Sequence, residues 1–286
     1  MLHEAFAAKE LQSPVVAPIR VITSQGDKEF SSNVAVNLNN QNRIEPSFLR
    51  SNEPRVVQLA SALASRGWYL ERRESEISNL TQIEKQAIEA KIGSSLEGKT
   101  IRLKEGAQSY AATYMRQPEW AKKNPKRIFL SATDGGYFDR VFSADLTGEK
   151  FIAAHTLAAG VEEFVRQFMT RKRRADKSDD WRKDYAELLG VPLVAKHPDV
   201  LNQVIPQSAI FLTALAFDYA VTIKKREVGE VINELKAGPG LLNELLTHLI
   251  DVAKGDQGAA KSWPTLLKSQ VFFEKVSNFL KGRASV

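Results

Sequence analysis

The chain has 286 residues, of which 43% are hydrophobic and 26% charged, the balance of a globular protein with room for one or two domains. It contains no cysteine, which excludes disulfides, thiolate metal sites and cysteine nucleophiles. A net charge of +6 and a pI near 9.3 permit an anionic partner without requiring one.

In chain order, the pattern predicts a helix over about 2–12, a largely buried strand over 15–23 disturbed by Pro18, and a helix over 29–40. Pro46 to Leu49 begins a turn or short helix. Arg55 to Ser65 is a helix with Val56, Leu59, Ala60, Leu63 and Ala64 on one face, capped by Ser51 or Asn52 and closed by Gly67. Trp68 to Arg73 alternates as a strand. Thr81 to Ile92 is a helix capped by Asn79 or Thr81 and ended by Gly93, and Thr100 to Leu103 is a second strand. Helix returns at about 105–115, Trp120 sits on a short helical piece, and Asp134-Gly135-Gly136 makes a turn. A long helix runs over 148–174. The charged run from Arg171 to Lys183 reads as a connector, because a segment so polar cannot bury itself. Further helices are expected at about 181–189, 197–224, 226–236, 239–254 and 263–281.

The expected fold class is therefore α+β and predominantly α-helical. A small mixed α/β part over 1–145 is followed by a helical part over 146–286. The longest apolar stretch, Ala209 to Ile223, is short for a membrane span and contains Asp218, so a buried helix is expected there. The first residues, MLHEAFAAKEL, lack the charge order of a secretory signal. A cytoplasmic location with no membrane partner is the expectation.

The most distinctive stretch is Asn37 to Glu76. It holds an amide cluster (Asn39, Asn40, Gln41, Asn42), an Arg50-Ser51-Asn52 step, and Glu71-Arg72-Arg73 one helix later. Amides and arginines read polar edges and phosphates, so Asn39, Gln41, Asn42, Arg50, Asn52 and Arg72 are candidate contacts for nucleic acid or a protein partner. The structural alternatives are a turn or capping network for the amides, and an internal Arg50–Glu71 salt bridge pinning strand to loop.

These residues resemble the AIPR family, named for abortive infection and phage resistance. Its pattern, N-N-x-Q-N-x-I/V-x-x-x-D-L-R-S-N-D-P followed by Y-x-E-R-K-x-G-E, is met by Asn39, Gln41, Asn42, Ile44, Leu49, Arg50, Ser51, Asn52 and Pro54. Tyr69, Glu71, Arg72 and Glu76 meet its second part. The chain departs from it at Phe48, where an acid is usual, and at Glu53 for Asp, Arg73 for Lys and Ser75 for Gly. A looser likeness runs to about residue 170 and includes Phe129 and Tyr137-Phe138-Asp139. The resemblance implies phage defence. Members carry a longer first half, so it also implies a C-terminal portion, with the missing half as one possible partner.

Glu71-x-Arg73 has the outline of an acid-x-lysine half-site, which in metal-dependent nucleases holds Mg²⁺. Arginine does not readily give up a proton, and the second acid would have to be Asp27 or another residue. Glu71 and Arg73 are thus the catalytic candidates of a nuclease alternative, with Mg²⁺ needed only there. An exposed strand of alternating charge accounts for the same letters. No complete catalytic constellation is present, and the four histidines are in no ligand spacing. Lys122, Lys123, Lys126 and Arg127 beside Tyr114 and Trp120, and Arg171 to Arg174 near Trp181, offer phosphate contact and base stacking, or simply solvated faces. The third alternative is a helical scaffold or oligomerisation domain.

Overall fold

The computed structural model describes residues 45–175, 200, 203–255 and 262–284. The elements expected before residue 45 and over 181–189 lie outside them. Glu45–Val286 forms one compact unit. It is predominantly helical, with two short strands among the described residues.

Helices α1 (Pro46–Leu49) and α2 (Pro54–Ala64) come first. The N-cap of α2 is Glu53 rather than Ser51 or Asn52. No side chain caps it, because Pro54 at the first turn already removes one orphan N–H. Val56, Leu59 and Leu63 are its buried face, as their spacing predicts. Strand β1 (Tyr69–Glu71) pairs in parallel with β2 (Thr100–Arg102) in the register Tyr69–Thr100, Leu70–Ile101, Glu71–Arg102. Parallel strands need a crossover, and α3 (Gln82–Ile92) supplies it. Its ends match their sequence signals. Thr81 and Glu84 form a capping box, and Gly93 closes the helix at φ 70°, a conformation that costs glycine least.

Helix α4 (Leu103–Ala112) starts directly from β2 and packs on α5 (Pro118–Lys122) and on the long α7 (Gly148–Ala175); the short α6 (Phe138–Val141) lies between them in sequence. Gly106 lets α4 approach α7, since a Cβ there would run into the Phe151 ring. Helix α7 runs through Arg171 to Ala175, and the rest of the charged run, 176–183, lies outside the described residues.

The helix expected over 197–224 is broken in its described part. Pro206 sits in a 3-10 turn, Ile205–Gln207, followed by α8 (Ala209–Phe217) and a π-helical turn, Asp218–Ile223. Then come α9 (Val228–Ala237), α10 (Gly240–Gly255), α11 (Trp263–Leu266) and α12 (Gln270–Ala284). Every α8 residue from Phe211 to Phe217 is buried, and the helix packs on α4, α7, α10 and α12. No described helix is long and apolar enough to cross a membrane.

Two hydrophobic clusters result, and α7 runs through both. Phe151 and Ala154 belong to the first, with Leu63, Leu70, Ile101 and Phe142. Leu157, Val161 and Phe168 belong to the second, with α8, α10 and α12.

Candidate functional site

Strands β1 and β2 end side by side, and the chain turns away after each. An open polar cleft forms there, at the carboxyl ends of parallel strands, where ligands commonly sit in α/β folds. Its walls are residues 71–75, Ile77 and Ser78 after β1, Arg102 to Glu105 and Gln108 at the start of α4, and Glu45 and Ser47 beside α1.

The motif builds this cleft largely by bonding to itself. Arg50 donates from Nε to the Phe129 carbonyl at 3.3 Å, pairs with Glu53, and lays its guanidinium 4.6 Å from the centre of the Phe138 ring. The loosely matching residues Phe129 and Phe138 are thus contacts of the motif arginine. Arg72 donates from Nη1 to the carbonyl of buried Ser51 at 3.1 Å, tying the end of β1 to the turn before α2. Asn52 is exposed. Asn39, Gln41, Asn42 and Asp27 lie outside the described residues.

Glu71 corrects two expectations. It is 6% exposed, so it is not part of an exposed charged strand, and its partner is Arg102 rather than Arg50. Oε1 accepts from the Ile77 N–H and Oε2 from Arg102 Nε, both at 3.2 Å. Arg50 cannot serve it because its guanidinium is held at Phe129, Phe138 and Glu53. Both oxygens of Glu71 thus tie the end of β1 to the loop and to β2. No group of three or more His, Asp or Glu among the described residues is placed to hold a metal ion.

Glu76 folds the loop after β1. Its Oε2 accepts from the backbone N–H groups of Arg72 at 2.9 Å and Arg73 at 3.2 Å. Burial, together with the charge and hydrogen bond of Glu76, pushes the Tyr69 phenol up to about 12. Ser75 has φ 61°, the left-handed region that favours glycine, which accounts for the family's usual residue there. Arg73 is exposed and lies 5.0 Å over the Phe48 ring, so a cation–π contact stands where the usual acid would form an ion pair.

The basic cluster after Trp120 does not offer a free stacking platform. Trp120 and Tyr137 stack at 3.8 Å and 7°, with Arg140 over the outer face of Trp120 and Arg127 over that of Tyr137. Both broad faces of each ring are covered. Lys123 pairs with Glu119 and Lys126 with Glu45.

Sequence reasoning missed a polar node in the second cluster. Asp218, fully buried on the π-helical turn, has Arg116 Nε 2.7 Å from Oδ1 and accepts a hydrogen bond from Ser277 Oγ at Oδ2, 2.5 Å away. The Arg116 N–H is not aimed at Oδ1, which receives no well-formed hydrogen bond from the described residues. Arg116 has φ 55°, and its carbonyl accepts from Gln270 Nε2 at 3.0 Å, so the node joins the α4–α5 turn to α12. The available signal was a lone acid inside an apolar run, which must find a partner when buried.

The AIPR family model, described as AIPR protein, matches residues 2–254, and the chain belongs to that family. The match extends well past residue 170, into α10. No curated protein and no solved structure matches the chain.

Proposed function

We propose that this AIPR-family protein acts in defence against phage through recognition, with the cleft at the strand ends as its contact surface and a protein as its partner. The observation that carries this reading is the charge of the cleft. Arg72, Arg73, Arg102 and Lys104 alternate with Glu45, Glu71, Glu74 and Glu105, four against four. A phosphate backbone is bound by an unopposed positive surface, whereas a protein surface offers both signs. The bonding of Arg50, Arg72 and Glu71 within the fold supports a scaffold role for these three and leaves Arg73, Lys104 and Glu74, all exposed, to meet a partner.

The test is a plating assay in a bacterial host where the wild-type chain protects against phage, paired with fluorescence anisotropy on single- and double-stranded DNA and RNA with and without Mg²⁺. Arg73→Glu with Lys104→Glu is expected to abolish protection while nucleic-acid binding stays weak throughout. Full protection by that variant would overturn the cleft as the contact surface. Tight, salt-dependent nucleic-acid binding lost in the variant would replace the protein partner with nucleic acid, and probe cleavage confined to Mg²⁺ would restore the nuclease reading.

A further inference from the structure

The two-stranded sheet has an open edge on β2. In a parallel ladder, alternate residues of a strand turn both backbone groups toward the neighbour, and those between turn theirs away. The Tyr69 N–H donates to the Lys99 carbonyl at 2.8 Å, which together with the register fixes the phase. Tyr69 and Glu71 bond across from β1, Ile101 answers them from β2, and Thr100 and Arg102 face outward. The Arg102 carbonyl stands at the N-cap of α4, where it opens the helix ladder. The Thr100 N–H, the Thr100 carbonyl and the Arg102 N–H remain, and no hydrogen bond reaches them from the described residues.

The surroundings fit a guest strand. Thr100, Arg102 and Lys104 all line the strand-end cleft, so the cleft runs along this edge. Lys99 and Lys104 bracket it, and both are exposed. Lys99 lies 4.6 Å over the Trp68 ring, and Lys104 makes no ion pair among the described residues. Arg102, between them, is held by Glu71 and Glu105. Two copies meeting at this edge would set lysine against lysine. The charge that keeps the edge from pairing with itself favours an acidic guest.

We propose that β2 accepts an added strand: an extended, acidic segment of the partner protein lies beside residues 99–104 and bonds to the main chain of Thr100 and Arg102. Parallel and antiparallel guests can each engage all three free groups. The main chain supplies the affinity, and Lys99 and Lys104 choose the side chains. Binding of this kind rests on the reading of the strand-end cleft as the partner surface and names how the partner is held there.

The test uses the full chain and fluorescence anisotropy. The probe is a labelled hexapeptide of alternating valine and glutamate. It is compared with its valine–lysine counterpart and with two versions methylated on the backbone nitrogens of either the valines or the glutamates. The acidic peptide should bind and the lysine peptide should not. One methylated version should bind about tenfold more weakly, the worth of one or two hydrogen bonds, and the other should bind as the parent does, because only one set of N–H groups faces β2. Thr100→Pro removes the outward N–H and no bond of the ladder, whereas Thr100→Val keeps that N–H. Thr100→Pro should weaken the acidic peptide about tenfold and abolish protection against phage, and Thr100→Val should do neither. Protection lost in Arg73→Glu with Lys104→Glu but kept in Thr100→Pro would leave the cleft as the partner surface and overturn strand addition. No binding of the acidic peptide, equal binding of the lysine peptide, or equal affinities of the two methylated versions would overturn it as well. Should Thr100→Pro lower the urea midpoint, the methylated peptides on the wild-type chain decide.

Discussion

The two hydrophobic clusters are held in place by opposite means. Around the first, polar side chains do the positioning: Arg50 on Phe129 and Phe138, Arg72 on Ser51, Glu71 on Ile77 and Arg102, Glu76 on the loop amides. In the second, α8 is buried from Phe211 to Phe217 and packs by volume, with a single buried carboxylate, Asp218, fixing how the α4–α5 turn and α12 meet it. Directional bonds suit the first because short strands and loops have little apolar surface to define their position. Volume suffices for the second because helices interdigitate over long faces.

That contrast can be broken from the apolar side first. Phe211, 1% exposed and in ring contact with Phe272 and Phe273, should cost about 3–5 kcal/mol when changed to Ala, read as a drop in the urea midpoint. Arg116→Ala leaves Asp218 buried without its cation and should cost about 3 kcal/mol by the same measurement. A loss below about 1 kcal/mol would show that the node contributes little more than a surface ion pair.

The polar side is tested by Arg50→Ala, expected to lower stability by about 1.5–3 kcal/mol. An unchanged unfolding midpoint with altered partner binding would move Arg50 from scaffold to contact. Ser75→Gly should act the other way and stabilise by about 0.5–1 kcal/mol, because it relieves a left-handed residue. The smallest expected effect is on pH dependence and touches both clusters. His155 and His248 both have folded-state pKa values lowered from 6.5, chiefly by burial. The unfolded chain therefore takes up protons first, so stability should fall as pH drops through 6.5 and level off below the folded-state values. His155→Gln and His248→Gln should each flatten that slope in urea titrations.

The local elements were legible because local chemistry fixes them. The Thr81–Glu84 capping box, Gly93, the buried face of α2 and the two strands follow from residues within a turn or two of each other. Partners were not legible. Arg50 was read as a contact for nucleic acid or a protein, or as the partner of Glu71, whereas its carbonyl partner lies 79 residues away at Phe129, and nothing near Arg50 in sequence specifies it. Glu71 was misread because alternation reports which face a residue takes, and only the tertiary fold shows that this face is closed. The break at Pro206 was visible as a proline. The π-helical turn at Asp218 was not, since the apolar run continues across it.

The loop after β1 belongs to no helix or strand until Ile77, yet three of its amides donate to carboxylates: those of Arg72 and Arg73 to Glu76, and that of Ile77 to Glu71. Hydrogen–deuterium exchange should therefore find slow amides here, in a segment where Arg73, Glu74 and Ser75 are exposed to solvent. A partner arriving at the cleft would meet a rim already set in shape, and the entropic cost of ordering that rim would have been met during folding rather than at the encounter.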